Sequence, residues 1–379
     1  MTAALELLRA HYRDRLMAAK AVRASGASRV VGLTGTTAPA ELALACGLFP
    51  VRISPPDDIA TPTAALYLDS VIDRDVQVLF ECAMRGDFEF LDLLVLTRGE
   101  DKLFYFLKEM VRLGRAPVVP PMHMFDLMGS QRAAVQQYNL QNLNWLIAAL
   151  ERLAGVQITD EQLRASAQLT NRCRELQRKL LALRWEGRVQ GVEAMEVIGA
   201  GFCMHPVRYT QALERYLQEL GPASAPKPAP RLLVASSEPL SQLHLHRRLE
   251  EAGGLVVAED DAWGSRAPGD DIANGGDPKQ ALLQKYWHDT AHAGVSPREA
   301  RQAWFLHQIQ RCDLDAVIFY VPPGDHQFGW DYPRLAAQTT AAGKPSLLLR
   351  QDAADASTVS GPVREFLAAL PASRQRACP

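Results

Sequence analysis

Short apolar runs alternate with helical patterns along most of the chain, and this alternation restricts the possible folds more than any other feature. The runs cover residues 29–33, 93–96 and 117–119 in a first set, and 231–235, 255–258, 316–321 and 346–349 in a second. Strands that alternate with helices pair in parallel and need helices on both faces of their sheet. The fold class is therefore predicted to be α/β, with doubly wound parallel sheets.

The region between the two sets has a helical pattern. Leu140, Leu143 and Ile147 lie at helical spacing, and Thr159 and Gln162 form a capping-box signature before another helix. The segment GPASAPKPAPR then interrupts the chain, as Pro-rich linkers do. The predicted organisation is an N-terminal helix at 1–28, an α/β domain at 29–130, a helical segment at 131–220, a linker at 221–231 and a second α/β domain at 232–379.

Composition and charge exclude several classes of function. The 379 residues are 47% hydrophobic and 22% charged with a formal net charge of -2, so no basic field attracts nucleic acid. No run of ~18 apolar residues could span a membrane, and the charged start MTAALELLRAHYRDRLMAAK lacks the apolar core of a signal peptide. We predict a cytoplasmic globular protein that binds neither nucleic acid nor a membrane.

The six cysteines do not form a recognisable site. They are scattered singly, without a CxxC pair and without histidines at zinc-finger spacing, at Cys46, Cys82, Cys173, Cys203, Cys312 and Cys378. Most of them are interpreted as small buried hydrophobic residues.

The segment VVGLTGTTAPAELALACGLFPVRI at residues 30–53 has the order strand, loop, helix. Its loop contains only Gly32 and Gly35 and no nearby lysine, so it carries neither a GxGxxG fingerprint nor a Walker loop. Two interpretations remain. An anionic or carbonyl group binds at the start of the helix, or the loop is a tight turn in which Thr36 or Thr37 caps that helix.

Several segments together resemble the 2-hydroxyacyl-CoA dehydratase and benzoyl-CoA reductase family, which includes the 2-hydroxyglutaryl-CoA dehydratase D-component. APAELALACGLFPVRI resembles the family's proline-glutamate-glutamate-leucine, alanine-glycine and proline-valine-arginine signature. GDFEFLDLLVL and ITDEQLRASAQLTNRCRELQRKLLALR are similar to its first domain and its helical middle region. EEAGGLVVAEDDAWGSR, LDAVIFYVPPGDHQFGWDYPRL and AAGKPSLLLR are similar to its second domain. From the shared order of these segments, the chain is identified as a member of the family.

The resemblance implies two flavodoxin-like α/β domains with a helical segment, and an active site in the cleft between the domains. It also implies a heterodimer of homologous subunits. In such complexes a four-iron four-sulfur cluster, reduced by an ATP-dependent activator, passes one electron to an acyl-CoA thioester, which permits dehydration or reduction of an aromatic ring. Thr36, Thr37 and Glu41 would then bind the acyl-CoA substrate at the carboxyl end of their strand.

Arg266 is a further candidate for substrate binding. The residues from Trp263 to Arg266 match an aromatic-glycine-serine-arginine turn of the family. The resemblance implies that this arginine contacts the acyl-CoA or braces the cleft. The alternative is that Arg266 only pairs with Asp260 or Asp261.

The sequence differs from the family at the positions that bind the cluster. The family uses three cysteines, and ungapped counting from the flanking motifs places these positions at Asp73, Glu100 and Asp325. Iron-sulfur clusters need thiolate ligands, which three carboxylates do not replace. The chain is therefore predicted to lack the cluster, which is expected in a partner subunit.

Three carboxylates in one cleft would raise one another's pKa unless something compensates their charge. One hypothesis is a divalent metal with mainly oxygen ligands. Its candidate ligands are Asp73, Glu100, Asp325, and His326 or His123. The other hypothesis is local pairing with Arg74 and Arg98, or solvation at loop tips.

Two functions of different classes follow from these observations. The first is a subunit of a 2-hydroxyacyl-CoA dehydratase or benzoyl-CoA reductase-like complex, without its own cluster and with a homologous partner subunit and an activator. The alternative is a stand-alone metal-dependent acyl-CoA enzyme with a carboxylate site in place of the cluster. A binding protein without a reaction would differ from the first only in lacking a catalytic partner.

Overall fold

The computed structural model describes most of the chain. The described residues are 2–56, 59–69, 71–116, 118–130, 132–221, 229–236, 243–289, 298–311, 313–322, 325 and 328–370. They form eight β-strands and fifteen α-helices. Two compact units divide the chain: the first comprises Met1–Glu175, Ala200–Leu213 and Gly269–Thr290, and the second comprises Leu176–Gly199, Glu214–Pro268 and Ala291–Pro379.

The first unit contains a parallel sheet of four strands, β1 (Val30–Leu33), β2 (Phe49–Arg52), β3 (Leu93–Thr97) and β4 (Met122–Phe125), in the order β2-β1-β3-β4. Its helices are α1 (Ala3–Arg13), α2 (Met17–Ser25), α3 (Ala40–Ala45), α4 (Pro62–Tyr67), α5 (Arg74–Met84), α6 (Asp101–Arg112) and α7 (Ala133–Ala154). Apolar clusters cover both faces of this sheet, and β1 and β3 are buried along their whole length. Because the strands are parallel, their carboxyl ends meet at one edge.

Three helices follow α7 in the helical middle of the chain: α8 (Asp160–Trp185), α9 (Gly191–Ala200) and α10 (Pro206–Leu220). The predicted capping box is confirmed at the start of α8. The Thr159 backbone N–H donates to Gln162 Oε1 at 2.8 Å, and the Gln162 N–H donates to Thr159 Oγ1 at 3.2 Å. Residues 222–228 of the predicted linker lie outside the described residues.

The second unit contains a parallel sheet of β5 (Arg231–Ala235), β6 (Leu255–Glu259), β7 (Ala316–Tyr320) and β8 (Ser346–Leu349), in the order β6-β5-β7-β8. Its helices include α11 (His244–Glu251), α13 (Arg298–Ile309), α14 (Phe328–Ala341) and α15 (Ala356–Ala369). Although they lie between β6 and β7 in the sequence, α12 (Pro278–Gln284) and a π-helical turn (Lys285–Asp289) belong to the first unit. Both sheets repeat the strand order of flavodoxin-like folds, which confirms the predicted fold class.

Two strands of the first sheet differ from the sequence expectation, and proline explains both. The run at 117–119 was predicted as a strand; residue 117 lies outside the described residues, and residues 118 and 119 are not in a strand. Strand β4 begins at Met122, directly after Pro120 and Pro121, which lack N–H donors. Strand β2 was missed because Pro50 interrupts its apolar pattern. The sheet accommodates Pro50 because β2 is an edge strand.

The N-terminal region forms two helices rather than the single predicted one. The interruption follows Asp14, whose carboxylate accepts a hydrogen bond of 3.3 Å from the Leu16 N–H. Among the described residues, no helix combines the length and the apolar character needed to cross a membrane.

Candidate functional site at the carboxyl edge of the first sheet

Three polar side chains meet where β1 and β3 end. Thr34 follows the last residue of β1, Thr97 ends β3, and Glu100 lies at the start of α6. The Thr97 hydroxyl donates to Glu100 Oε2 at 2.8 Å, and the Thr34 hydroxyl donates to the same oxygen at 3.3 Å. The Thr97 backbone N–H donates in turn to Thr34 Oγ1 at 3.2 Å. The two strand ends therefore hold one carboxyl group in a fixed position.

Gly35 allows this arrangement because it has no side chain. Its φ of 60° lies in the left-handed region, and a Cβ atom there would approach Thr97 Oγ1 to 2.1 Å and Glu100 Oε2 to 3.2 Å. Any other residue would displace the hydroxyl that binds Glu100. The loop after β1 is thus shaped around the carboxyl group.

Arg52 ends the edge strand β2 and lies beside the same group. Its guanidinium is largely buried, donates to the Thr34 carbonyl oxygen at 3.3 Å and lies 5.7 Å from the centre of the Phe202 ring. Sequence reasoning assigned Arg52 no role, although it belongs to the proline-valine-arginine part of the quoted signature. Thr34 and Thr97 were also missed, because their meeting depends on the pairing of β1 with β3.

Burial raises the pKa of Glu100 to about 7, and the two threonine hydroxyls and the nearby Arg52 only partly oppose that shift. The side chain still retains some solvent access. A carboxyl group with this pKa exchanges its proton near neutrality, so it can donate or accept a hydrogen bond. The edge therefore holds a titratable group next to a loop.

Thr36 and Thr37 lie in that loop. Thr37 is buried and Thr36 is half-buried, and neither hydroxyl forms a hydrogen bond with a described residue. Neither hydroxyl is therefore committed to a partner among the described residues. The prediction that they bind substrate stays a prediction.

Glu41 lies in the first turn of α3 and has no exposed surface. Its Oε1 accepts from Arg174 Nη2 at 2.6 Å and from the Thr170 hydroxyl at 2.7 Å, and its Oε2 accepts from the Tyr286 hydroxyl at 2.8 Å. Burial disfavours the charged form, but Arg174 and the hydrogen bonds outweigh it and lower the pKa of Glu41. In this geometry Glu41 anchors the loop to α8 and to the turn at Tyr286.

Asp73 and Asp325 occupy the other two positions at which the resemblance implies a cluster ligand, and each has its own partner. Asp73 is 39% exposed and pairs with Lys102 Nζ at 2.8 Å, rather than with the expected Arg74 or Arg98. Arg74 instead donates to the Thr61 hydroxyl, and Arg98 pairs with Asp126.

Asp325 belongs to the second unit. It accepts a hydrogen bond of 2.7 Å from the Phe328 N–H, which caps the start of α14. His326 lies outside the described residues, and His123 is in β4, where burial lowers its pKa.

The described residues do not fit an iron-sulfur cluster or a divalent metal. Within them, no group of three or more histidine, cysteine or acidic side chains is close enough to hold a metal ion. The four described cysteines are free thiols, and burial raises their pKa to about 11 or 12. They are Cys46, Cys82, Cys173 and Cys203. Protonated thiols are poor ligands, because metal binding requires the thiolate.

Arg266 lies in the loop after β6 in the second unit and is 4% exposed. Its Nε is 2.5 Å from Asp260 Oδ1, and its guanidinium lies 4.5 Å from the centre of the Trp304 ring. The structure thus provides the pairing with Asp260 that the sequence left as an alternative. The expected contact with acyl-CoA stays a prediction.

A second buried carboxylate, which sequence reasoning missed, supports the same loop. Glu259 ends β6 without any exposed surface and forms an ion pair with Arg184 of α8. It also accepts from His246 Nε2 at 2.9 Å and from the Ser265 N–H at 2.5 Å. These partners, Arg184 first, hold the pKa of Glu259 well below its usual range against the effect of burial. No sequence pattern links residues so far apart, so only the fold reveals this network.

The protein belongs to the α/β class with open parallel sheets. In this class, ligands generally bind beyond the carboxyl ends of the strands, where the polar side chains described above lie. The family described as 2-hydroxyglutaryl-CoA dehydratase, D-component, matches residues 36–370. The chain belongs to this family, which confirms the resemblance noted from the sequence.

Two relatives extend over most of the chain. The (R)-phenyllactyl-CoA dehydratase beta subunit of Clostridium sporogenes is 23% identical over 338 residues, which cover 86% of each protein. A benzoyl-CoA reductase subunit of Thauera aromatica is 24% identical over 310 residues, which cover 78% of each protein. The chain is therefore similar to subunits of both a dehydratase and a reductase.

Proposed function

We propose that this chain is a subunit of a 2-hydroxyacyl-CoA dehydratase or benzoyl-CoA reductase-like complex that acts on an acyl-CoA thioester. The family match over residues 36–370 is the observation that carries the proposal. Both relatives are named as subunits of enzymes, and both names contain a CoA thioester. The chain is similar to a subunit of a dehydratase and to a subunit of a reductase. In this proposal, the partner subunit and the substrate determine which of the two reactions takes place.

In this proposal the chain carries no iron-sulfur cluster of its own. The three positions at which the resemblance predicts cysteine ligands hold Asp73, Glu100 and Asp325, and each carboxylate has its own partner or cap. Such carboxylates are hard ligands and poor substitutes for thiolates. The cluster would belong to a homologous partner subunit, and an ATP-dependent activator would reduce it.

The contribution of this chain would be to bind and orient the thioester. A thioester carbonyl oxygen accepts hydrogen bonds and donates none, so it suits the hydroxyls of Thr36 and Thr37. Glu100 would add a third donor when it is protonated, and its raised pKa keeps that form populated near neutrality. A neutral Glu100 would also avoid repelling the phosphates of CoA.

Two predicted substrate residues would act by positioning in this proposal. Glu41 holds the loop through Arg174, and Arg266 holds the turn after β6 through Asp260 and Trp304. Both side chains are nearly inaccessible to solvent. Their removal would disturb the binding surface rather than remove a direct contact.

Co-expression with a homologous chain that has cysteines at all three ligand positions tests the proposal. The expected result is a stable complex that buries at least ~1,000 Å² in total, together with acyl-CoA turnover that neither chain shows alone. Size-exclusion chromatography and anaerobic assay of iron, sulfide and activity would measure these outcomes.

Two results would contradict the proposal. A chain that stays monomeric beside every such homologue would count against the subunit role. One divalent metal per isolated chain, lost in Glu100→Ala, would support the stand-alone metal-dependent enzyme instead.

A further inference from the structure

A cavity of about 650 Å³ lies in the first unit, away from the polar site. Its walls are α2, the start of β2 and the segment that leads into α10. Ser28 and Phe49 lie at the amino ends of β1 and β2, whereas Thr34 and Glu100 lie at the carboxyl ends. The cavity and the polar edge are therefore at opposite ends of the same strands.

The lining of the cavity is mostly apolar. Met17, Val22, Leu48 and Met204 contribute aliphatic or thioether surface, and the ring of Phe49 lies 6.2 Å from that of His205. Ligand pockets of ~300–1,000 Å³ with apolar walls and few polar groups are the usual form of small-molecule sites. The size and lining thus match a ligand with a hydrocarbon body.

The serine hydroxyls in the lining are already used by the protein. Ser28 donates to the Gly47 carbonyl oxygen at 2.8 Å, and Ser25 donates to the Val22 carbonyl oxygen at 2.9 Å. Both hydroxyls therefore have hydrogen-bond partners within the protein. The polar head group of a ligand would contact the other polar residues of the lining.

Three such residues are His11, His205 and Arg208. Nδ1 of His11 is buried and has no hydrogen-bond partner among the described residues. His205 Nδ1 accepts from the Val207 N–H at 3.3 Å, so in the neutral ring its Nε2 carries the proton and donates. Arg208 is exposed and has no hydrogen bond or ion pair with a described residue.

The residues that line the cavity carry one positive charge. Burial lowers the pKa of His205, and burial together with Arg208 lowers the pKa of His11 against the opposite effect of Asp14. Both imidazoles are therefore neutral near pH 7, and Arg208 is the only cation among the lining residues. One cation at the rim of an apolar cavity complements one negative charge on an apolar ligand.

We infer that this cavity binds an amphipathic carboxylate, with its hydrocarbon chain inside and its carboxylate on Arg208, His205 and His11. A medium-chain fatty acid has this chemistry. The acyl tail of a CoA thioester shares the hydrocarbon part, with the CoA phosphates as the anion.

Isothermal titration calorimetry of the full chain with decanoate, decanol and decanoyl-CoA tests the inference, at up to ~1 mM ligand. Decanoate should bind saturably and more tightly than decanol, because decanol lacks the charge. Arg208→Ala should weaken decanoate binding by about tenfold, the effect of one charge-assisted hydrogen bond. Ala21→Trp, at an exposed position of the lining, should block the site by filling it.

The matched control is Arg215→Ala, which removes another exposed arginine of α10 and should leave binding unchanged. If decanoyl-CoA binding depends on Arg208 and Ala21 in the same way, the natural ligand is the acyl tail of a CoA thioester. If only decanoate binding shows this dependence, the natural ligand is a free carboxylic acid. Absence of saturable binding by both decanoate and decanoyl-CoA would overturn the inference. So would an affinity for decanoate that is unchanged in Arg208→Ala or in Ala21→Trp.

Discussion

Glu41 and Arg174 form a buried ion pair, with 2.6 Å between Oε1 and Nη2, that joins the loop after β1 to α8. The two residues are separated by 133 positions in the sequence. Thr170 and Tyr286 complete the network, so both oxygens of the Glu41 carboxylate accept hydrogen bonds from other side chains. The position of Thr36 and Thr37 therefore depends on a helix far away in the chain.

Loss of Arg174 should strongly destabilise the first unit. Arg174→Met would leave the Glu41 carboxylate buried without its cation, which costs about 3–5 kcal/mol of unfolding free energy. Arg172→Met is the matched control on the same helix, because the Arg172–Glu175 pair is exposed and contributes less than about 1 kcal/mol. Urea unfolding at 25 °C would compare the two variants, and equal losses would refute the anchoring role.

Stability should depend on pH through Glu100. The pKa of this carboxyl group is raised from its ordinary value of 4.5 to about 7, so the folded state binds the proton more tightly than the unfolded state. The stability that this group contributes is complete below its unfolded pKa and is lost as the pH rises through about 7. Glu100→Gln is always neutral and should not show this loss.

Unfolding free energies of the wild type and Glu100→Gln at pH 5 and pH 8 would measure the effect. The wild type should lose up to about 3 kcal/mol relative to the variant between these two values. A constant difference across the range would show that Glu100 titrates at its ordinary pKa.

Substitution of Gly35 should disrupt the polar edge. Gly35→Ala would bring a Cβ atom to 2.1 Å from Thr97 Oγ1, in addition to the left-handed backbone. Gly26→Ala is the control, because Gly26 has a similar φ of 67° and open space around it. The control should cost about 1–2 kcal/mol for its backbone alone, and Gly35→Ala about 1–3 kcal/mol more for the overpacking. Similar thermal shifts in both variants would contradict the close packing.

The loop hydroxyls should affect ligand binding without affecting stability. Thr36→Val removes a hydroxyl that has no partner among the described residues, so the fold should lose less than about 0.5 kcal/mol. Acyl-CoA affinity of the assembled complex should fall about fivefold, the effect of one neutral hydrogen bond. Thr340→Val, at an exposed threonine of α14, should leave the acyl-CoA affinity unchanged. Unchanged acyl-CoA affinity in Thr36→Val would remove this residue from the proposed site.

The isolated chain should be colourless and free of acid-labile sulfide when it is purified without oxygen. The reason is that Asp73, Glu100 and Asp325 occupy the three positions at which the resemblance implies cysteine ligands. Iron and sulfide assays with the co-expressed partner as the positive control would check this. Stoichiometric iron and sulfide in the isolated chain would mean that other cysteines form the ligand set.

Several features followed directly from local sequence. The alternation of apolar runs and helical patterns predicted the two parallel sheets, and the Thr159–Gln162 capping box was read correctly because its hydrogen bonds span only three residues. Strand β2 and the true start of β4 were missed because proline masks the apolar pattern. The edge position that tolerates Pro50 is a property of the sheet and not of the segment.

The sequence by itself determined the fold class and the family, since both depend on periodicity and on the order of short motifs. The tertiary structure decided what the charged residues do. Glu41 and Glu259 are buried and form ion pairs with Arg174 and Arg184, whereas Asp73, at the start of α5, remains partly exposed and pairs with Lys102. The energy of a charged group depends on burial and on partners within a few ångströms. Those partners come from distant parts of the chain. Only the folded structure therefore shows whether a charged residue anchors a loop, caps a helix or belongs to a ligand site.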